Sequence, residues 1–391
     1  MPKIHKVILL VETSRGWCRG LLRGIAKYSR LHGPWGFYRI SEFYWQPGHI
    51  KKKRELALLK DWNATGVITR EMGMINELLD LGIPIIGSDA EVALPENLPL
   101  ITSNFEKTGQ MAAEYFINRG FRNFAFCGFT DMKWSNERLK SFKQVIEAAG
   151  YSVEAYGKPI TRVRKLWKDE PRLMANWLRS LPKPVALMAC SDDRSRHILE
   201  ACKIARLHVP DEIAIIGTDN DELLCELSNP TLSSVAFNLE KAGYEAAELL
   251  GKLMDGEPMQ GQKIIVQPTT VITRQSTDIL AMDDIEVATA VRYIRKHAQS
   301  TIQVRDVVDA TTLSRRSLEQ RFRSVLNRSI LTEIKRVHIE QVTRMLIETN
   351  YSVKRIALSL GHQGTENISR YFKQFTGLSP SEYRKEFGEK H

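Results

Sequence analysis

The pattern of apolar residues changes near residue 280, and this change limits the possible folds more than any other feature. Before it, short aliphatic runs such as KVILLV (6–11) and IPIIG (83–87) alternate with amphipathic helical stretches. Aliphatic strands separated by helices are typical of parallel sheets covered on both faces. From Ile285 to Phe387 every patterned stretch is helical. We therefore predict an α/β domain over residues 1–280 and an all-α domain over residues 281–391.

The strand–helix alternation of the first domain occurs twice. Two doubly wound halves predict two lobes, each built on a parallel sheet, with a cleft between them. The stretch KIIVQPTTVITRQSTD (263–278) has the alternation of a strand, and we interpret it as one strand that closes this domain.

The positive charge is concentrated in the helical part. Residues 284–391 contain 19 Lys and Arg against 12 Asp and Glu, which is +7 of the total net charge of +10. Such a concentration indicates a polyanionic partner, although basic surfaces are common. The five cysteines are scattered and form no CxxC pair, which favours buried thiols in a reducing cytoplasm over disulfides or a zinc site. No apolar run reaches the length that spans a bilayer.

The helical part contains one unit twice. In each copy a short helix is followed by a turn and by a second helix with apolar residues at i, i+4 and i+7. These apolar residues are Leu318, Phe322 and Val325 in the first copy and Ile368, Phe372 and Phe375 in the second. Two helices joined by a tight turn form a helix-turn-helix, whose second helix can enter the DNA major groove.

The opposite faces of the two second helices are polar. Their candidate DNA contacts are Arg315, Arg316, Glu319, Gln320 and Arg323 in the first copy and Thr365, Glu366, Asn367, Ser369, Arg370 and Lys373 in the second. Arg suits guanine edges and Gln suits adenine edges. The long helix between the copies is a candidate rigid spacer that holds the reading helices about 34 Å apart, one DNA turn. The alternative is a solvated face on a helical domain without DNA contacts.

Residues 285–387 resemble the AraC-type DNA-binding domain. The resemblance lies in Ser352, Ile356, Ala357, Gly361, Phe372, Lys373, Gly377, Ser379, Pro380, Tyr383 and Arg384. Two positions depart from the family pattern: His362 stands where Phe is usual, and Thr312 stands where Gly is frequent. The resemblance implies base and phosphate contacts at the exposed positions named above.

The first domain resembles the periplasmic-binding-protein fold of LacI-type repressors, in the stretches IPIIGSD, NERLKSF, ACSDD and IAIIGTDND. This resemblance implies a small ligand held between the lobes by groups at the carboxyl ends of strands. The matching positions, with nearby aromatic residues, are Asp89, Trp134, Arg138, Ser191, Asp192, Asp219 and Phe237. Carboxylates that accept hydroxyl hydrogen bonds, beside a planar Arg, suit a neutral polyol such as a sugar.

Each candidate has a structural alternative. Asp219 is also suited to a turn, and Asp192 to capping the helix that follows it. Arg138 could form a surface ion pair, and ordinary core packing is the rival explanation for Trp134.

The domain order and the stretches LSSVA, GYEAAELL and RQSTD resemble the regulators of xylose operons. That resemblance implies a cytoplasmic, sugar-responsive activator without a cofactor or metal. Its expected partners are operator DNA, a pentose such as xylose, a second copy of the chain in a homodimer, and RNA polymerase. The alternative is a DNA-binding regulator whose sensor domain binds another small ligand or a protein. An enzyme is disfavoured, because the chain contains no GxSxG, HExxH or P-loop motif.

Overall fold

The computed structural model describes residues 4–39, 61–70, 72–88, 94–165, 168–257, 261–282, 284–362 and 364–388. The chain divides into two compact units. Unit 1 comprises residues 1–104, 221–223 and 237–268, and unit 2 comprises residues 105–220, 224–236 and 269–391. Unit 2 therefore holds both a sheet of the α/β part and the helical part.

The strands are β1 (Lys6–Leu10), β2 (Gly36–Arg39), β3 (Gly66–Thr69), β4 (Ile85–Ser88), β5 (Leu100–Ser103), β6 (Asn123–Phe129), β7 (Val153–Lys158), β8 (Val185–Ala189), β9 (Ile213–Thr218), β10 (Ser233–Phe237), β11 (Lys263–Val266) and β12 (Pro268–Ile272). The helices of the α/β part are α1 (Gly16–His32), α2 (Ile75–Leu79), α3 (Phe105–Ile117), α4 (Lys133–Ala148), α5 (Ile160–Lys165), α6 (Glu170–Ser180), α7 (Asp192–Ala205), α8 (Glu222–Glu226) and α9 (Leu239–Met254). The helical part contains α10 (Ile285–Lys296), α11 (Val304–Asp309), α12 (Arg315–Leu326), α13 (Ile330–Glu348), α14 (Val353–Ser359), α15 (Thr365–Thr376) and α16 (Pro380–Phe387).

Each unit contains one six-stranded sheet. The strand order is β11-β5-β4-β3-β1-β2 in unit 1 and β12-β10-β9-β8-β6-β7 in unit 2. The registered pairs are parallel, for example Val185 of β8 beside Ile213 of β9. Buried aliphatic residues line both faces of β9, which is why its sequence reads as an unbroken apolar run. The prediction of two doubly wound parallel sheets is confirmed.

Residues 263–278 do not form one strand, so that prediction is wrong. The segment divides into β11 and β12, which belong to different sheets. The break follows from Pro268, which has no N–H with which to continue a ladder. The amide of Gln267 instead donates to Oδ1 of Asn238 at 2.8 Å, and the amide of Asn238 donates to the carbonyl of Gln267 at 3.1 Å.

The helical part contains two hydrophobic cores joined by α13. Ile330, Ile334 and Val337 pack in the core formed with α10, α11 and α12. Further along the same helix, Val342 and Leu346 pack in the core formed with α14, α15 and α16. Because a single 19-residue helix serves both cores, it is a continuous spacer of about 28 Å.

The five cysteines are buried and free, as predicted. Burial raises the pKa of the Cys190 and Cys202 thiols to about 12, so both stay protonated near neutral pH. Within the described ranges, the structure shows no helix with the length and apolarity to cross a membrane.

Candidate nucleic-acid interface and ligand site

The second helix-turn-helix consists of α14, a turn and α15. The hydroxyl of Ser352 caps α14 by accepting from the amide of Arg355 at 3.2 Å. The turn passes through Gly361, whose φ of +78° is a left-handed conformation that favours glycine. Ile368 and Phe372 then anchor α15 in the core.

The prediction that Phe375 belongs to the buried apolar stripe of α15 is wrong. Its side chain is 42% exposed, whereas Phe372, one turn earlier, is fully buried. The reason is that Phe375 borders a cavity beside α13 instead of filling the core. The anchored part of the reading helix is therefore its first two turns.

The outward face of α15 carries the predicted polar residues. Glu366, Arg370 and Lys373 are exposed, and Thr365 and Ser369 are half-buried. The side chain of Asn367 lies outside what the structure describes. The guanidinium carbon of Arg370 lies 5.5 Å from the centre of the Tyr371 ring, within reach of a cation–π contact. This face presents donors suited to base edges and phosphates.

The first helix-turn-helix repeats this arrangement with α11 and α12. Ser314 caps α12, and Leu318 and Phe322 are buried while Val325 is half-buried. Arg315, Arg316, Gln320 and Arg323 are exposed. Glu319 is half-buried, and its Oε2 has no hydrogen-bond partner in the described part of the chain. Four of the five predicted positions are therefore open to a partner, and Glu319 is partly enclosed.

Thr312, one of the two departures from the family pattern, fixes the first turn. Its amide donates to Oε2 of Glu286 at 2.9 Å, and its hydroxyl donates to Oε1 at 2.7 Å. These bonds hold the pKa of Glu286 below its usual value. Sequence reasoning missed Glu286, because no local pattern links a residue of α10 to this turn.

His362, the other departure, packs edge-on against His338, with ring centroids 5.6 Å apart. Nε2 of His338 lies 2.9 Å from the carbonyl of Ser300. Burial lowers the pKa of both rings, so they are neutral at physiological pH. The histidine therefore takes the place of an aromatic core residue.

The last helix is held by a capping box. The hydroxyl of Ser379 accepts from the amide of Glu382, whose carboxylate accepts from the amide of Ser379 at 2.7 Å. Pro380 occupies the first turn, as predicted from its fixed φ. The ring of Tyr383 then packs edge-on against Phe372, with centroids 5.2 Å apart, so α16 supports the reading helix from behind.

The polar residues of unit 2 cluster at the carboxyl ends of β8 and β9. Nη2 of Arg138 lies 3.2 Å from Oδ1 of Asp219, and its Nη1 donates to the carbonyl of Cys190 at 2.5 Å. Arg138 is 3% exposed, which shows that the predicted alternative of a surface ion pair is wrong. Asp219 has φ of +107°, and its side chain remains 23% exposed. The buried guanidinium thus holds a partly open carboxylate in place.

Ser191 and Asp192 begin α7. The hydroxyl of Ser191 accepts from the amide of Arg194, so Ser191 is the cap, and the alternative that Asp192 caps this helix is wrong. Asp192 is 3% exposed and accepts from the hydroxyl of Ser234 at 2.6 Å. A Cβ atom on Gly217 would lie 2.1 Å from Oδ1 of Asp192. Glycine is therefore required where this carboxylate meets β9.

The two aromatic candidates, Trp134 and Phe237, lie in different units. Trp134 is half-buried, with its ring centre 5.3 Å from the guanidinium carbon of Arg138. Phe237 belongs to unit 1 and packs against its core. Asp89 lies outside the described residues. The structure thus groups Trp134, Arg138, Ser191, Asp192 and Asp219 in unit 2, and it leaves their ligand role a prediction.

Three polar residues near these positions escaped sequence reasoning. Ser234 links Asp192 to the turn after β9, because its hydroxyl also accepts from the amide of Asn220 at 3.0 Å. Nη1 of Arg274 donates to Oδ1 of Asn220 at 3.0 Å. In unit 1, Asp221 accepts from Arg19 and from the amide of Gly16, both at 2.6 Å. Asp221 lies in the same GTDND stretch as Asp219 and could have been found there.

Two domain families match the chain. A periplasmic binding protein-like domain matches residues 113–277, and a helix-turn-helix domain matches residues 307–386. The first match lies within the α/β part, from α3 onward, and the second covers the paired helix-turn-helix units.

Relatives match over the whole length. The xylose operon regulatory protein of Escherichia coli (strain K12) is 31% identical over 98% of this chain and 97% of its own. The protein of that name from Haemophilus influenzae (strain Rd) is 29% identical over 97% of this chain and 98% of its own. The structure of the xylose-binding transcription activator XylR is 29% identical and covers 99% of this chain and 100% of its own, with a TM-score of 0.61.

A complex of the regulator CelR with cellobiose covers 71% of this chain and 86% of its own, with a TM-score of 0.56. At 21% identity it shows the fold alone. The full-length relatives are named as transcription regulators. The chain belongs to the family of the xylose operon regulatory proteins, which are DNA-binding transcription regulators.

Proposed function

We propose that this protein is a xylose-sensing transcription activator of a sugar-utilisation operon. The observation that carries the proposal is that the identity with the xylose operon regulatory protein of Escherichia coli extends over 98% of the chain and so includes both domains. The polar cluster of unit 2 supplies chemistry suited to a pentose, and the paired reading helices supply chemistry suited to DNA.

The proposed sugar contacts are centred on Asp219. Its carboxylate can accept two hydroxyl hydrogen bonds, and Arg138 fixes its position. Trp134 offers an aromatic face beside them. Ser191 and Asp192 are more deeply buried and already hydrogen-bonded, so a supporting role is favoured for both. Asp89 and Phe237 remain proposed contacts by resemblance to LacI-type sensors.

The sugar proposal is tested by calorimetric titration of the full-length protein with D-xylose, L-arabinose, D-ribose and D-glucose. We expect D-xylose to bind most tightly and Asp219→Asn to weaken it by tenfold or more, since a hydroxyl bond to a charged acceptor is worth about 1.5–3 kcal/mol. Asn tolerates the positive φ at this position, so the backbone is preserved. The matched control is Asp211→Asn, an exposed residue before the other end of β9.

Three results would contradict the sugar proposal. If no sugar binds, the sensor takes another small ligand or a protein partner. If Asp211→Asn weakens binding as much as Asp219→Asn, the assigned site is wrong. If the bound sugar is chemically converted, the protein is a catalyst and not a sensor.

The proposed DNA contacts lie on α12 and α15. We propose that Arg316 and Arg370 contact base edges and that Lys373 contacts phosphate, with the other exposed residues of the two faces in supporting contacts. Because phosphate contacts release counterions, operator affinity should fall steeply with salt. A ligand that changes this affinity must bind two states of the protein unequally.

Fluorescence anisotropy with operator and scrambled duplexes over a salt series tests these contacts. Arg316→Ala and Arg370→Ala should reduce the ratio of specific to non-specific affinity, at a cost of about 1–3 kcal/mol each. Lys373→Ala should weaken both duplexes alike and reduce the salt slope by about 1. The control is Arg321→Ala, since Arg321 lies on α12 but pairs with Asp284 at 3.4 Å. Equal losses for all variants would contradict the assigned faces.

We also propose that the protein acts in the cytoplasm as a homodimer that contacts RNA polymerase, because an activator must reach chromosomal DNA and the transcribing enzyme. Light scattering on operator complexes would establish the number of chains bound. A single chain per operator would contradict the dimer.

A further inference from the structure

A cavity of about 550 Å³ lies within unit 2, between the α/β part and the helical part. One wall is formed by α3 and β12, and the other by α13 and the end of α15. Its volume falls in the range of small-molecule sites. Apolar surface comes from Met111, Ile339 and Phe375. None of the proposed sugar contacts that the structure describes lines it.

Arg119 lines this cavity, and none of the acidic residues that the structure describes forms an ion pair with it. It is 7% exposed, and its Nε has no hydrogen-bond partner in the described part of the chain. Its Nη2 donates a long bond of 3.3 Å to Oγ1 of Thr273, and its guanidinium carbon lies 3.4 Å from the centre of the Tyr115 ring. A buried cation without a carboxylate is costly unless something else neutralises it.

A second, half-buried arginine adds to this positive charge. Arg295 has a buried Nη2 for which the described residues provide no partner. Burial and the nearby charges of Arg119 and Arg336 lower its pKa to about 9. Both observations indicate an excess of positive charge at this junction.

The nearby carboxylates do not remove the excess. Glu333 is fully buried, but its oxygens form ion pairs with Arg328 at 2.6 Å and with Arg336 at 2.7 Å. Glu340, which pairs with Arg336, is 57% exposed and is therefore screened by solvent. Glu114, at the edge of the cavity, is exposed as well. Arg328 and Arg336 share the charge of Glu333, whereas Arg119 has no ion pair in the described part of the chain. The guanidinium of Arg119 can therefore pair with an anionic ligand.

We propose that this cavity binds a small anionic metabolite, whose phosphate or carboxylate group pairs with Arg119 and whose body lies against the apolar wall. Such a ligand would be a second effector, independent of the sugar. Because it would contact β12 and α13 together, it would stabilise this placement of the reading helices on their lobe and so change operator affinity.

The test uses the full-length protein and four probes: inorganic phosphate, pyrophosphate, succinate and citrate. Thermal unfolding is compared with potassium chloride at equal ionic strength, and calorimetry follows for any probe that shifts Tm. At saturating concentrations we expect at least one probe to raise Tm by about 2–4 °C. Binding only by the phosphates or only by the carboxylates identifies the ligand class.

Two variants and one control locate the binding. Arg119→Gln should weaken the active probe by tenfold or more, because a charge-assisted bond is lost. Arg122→Gln removes the same charge at an exposed position three residues away and should leave affinity unchanged. Thr343→Phe fills the cavity from α13 without changing charge and should also abolish binding.

The outcomes separate this proposal from the sugar proposal. D-xylose should bind Arg119→Gln as it binds the unaltered protein. Failure of all four probes to bind would refute the anion site, whatever the response to xylose. Probe binding that is unchanged in Thr343→Phe would also refute the anion site. This variant keeps the proposal testable if Arg119→Gln does not fold.

Discussion

Glu333 should be the most sensitive charged position of the helical part. Its side chain is 0% exposed and faces two guanidinium groups. Nε of Arg328 forms an ion pair with it at 2.6 Å, and Nη2 and Nε of Arg336 donate hydrogen bonds to it at 2.7 and 2.9 Å. Glu333→Gln keeps the shape of the side chain but removes the charge that both arginines face. Breaking a buried pair by removing one partner costs about 3–5 kcal/mol, because the remaining charge is buried and uncompensated.

Glu340→Gln is the matched control. Glu340 bonds the same Arg336 from the next turn of α13, but its side chain is 57% exposed. An exposed ion pair contributes about 0–1 kcal/mol. The two substitutions are chemically identical and differ in burial, so their comparison isolates the cost of leaving the charge unpaired inside the protein.

Urea unfolding measured with two probes is the appropriate assay. The seven tryptophans all lie at or before Trp177, so their fluorescence reports on the α/β part, whereas circular dichroism at 222 nm also reports on the helical part. We expect Glu333→Gln to lower the midpoint seen by circular dichroism far more than that seen by fluorescence. A loss below about 1 kcal/mol, or a loss equal to that of Glu340→Gln, would refute the argument from burial.

Three further predictions follow from single contacts. Phe372→Ala should lower the free energy of unfolding in urea by about 3–5 kcal/mol, because this side chain is fully buried. Phe375→Ala should lower it by at most about 1 kcal/mol, because Phe375 is 42% exposed. Equal losses would mean that Phe375 belongs to the buried stripe after all. Gly217→Ala should lower the free energy of unfolding by about 1–3 kcal/mol, because the new methyl would overlap the Asp192 carboxylate. It should also weaken sugar binding in calorimetry. An unchanged sugar affinity would exclude a supporting role for that carboxylate. Burial alone would raise the pKa of Glu333, but hydrogen bonds from Arg336 and the charges of both arginines outweigh burial and lower the pKa. The contribution of Glu333 to the free energy of unfolding is therefore present above the unfolded pKa of 4.5 and is lost as pH falls through the folded pKa. A Glu333→Gln variant whose stability had the same acid dependence would contradict this.

The repetitive features of the fold could be predicted from sequence because local physics sets them. Buried parallel strands require unbroken aliphatic runs, as in β9, and amphipathic helices require apolar residues every three or four positions. The capping box of Ser379 and Glu382 and the left-handed turn at Gly361 depend on residues close in sequence. These features were therefore predictable without tertiary information.

The partners of the candidate site were not predictable in this way. Ser234 reaches Asp192 from 42 residues away, and Arg274 reaches Asn220 from 54 residues away. Side chains brought together by strand order leave no periodic signal in sequence. The prediction of one strand over residues 263–278 failed for a related reason, since alternation predicts a strand but does not specify its sheet.

The contacts inside unit 2 restrict how a ligand can act on the reading helices. Nη1 of Arg328 donates to Oδ1 of Asn118 at 2.6 Å, and the hydroxyl of Tyr383 lies 3.5 Å from the carbonyl of Thr269 on β12. Both helix-turn-helix modules are thereby attached to the lobe that carries Asp219. A ligand shifts an equilibrium only by its unequal affinity for two states, so a sugar at the proposed site beside Asp219 would change operator affinity only by binding unequally to two arrangements of these attachments. The change in operator affinity on sugar binding should therefore differ when Tyr383→Phe removes its attachment, or when Asn118→Ala removes the side-chain bond from Arg328 and leaves its 3.2 Å bond to the main-chain carbonyl of residue 118. Sugar affinity should stay unchanged in both variants, because the proposed contacts Asp219 and Arg138 are left in place.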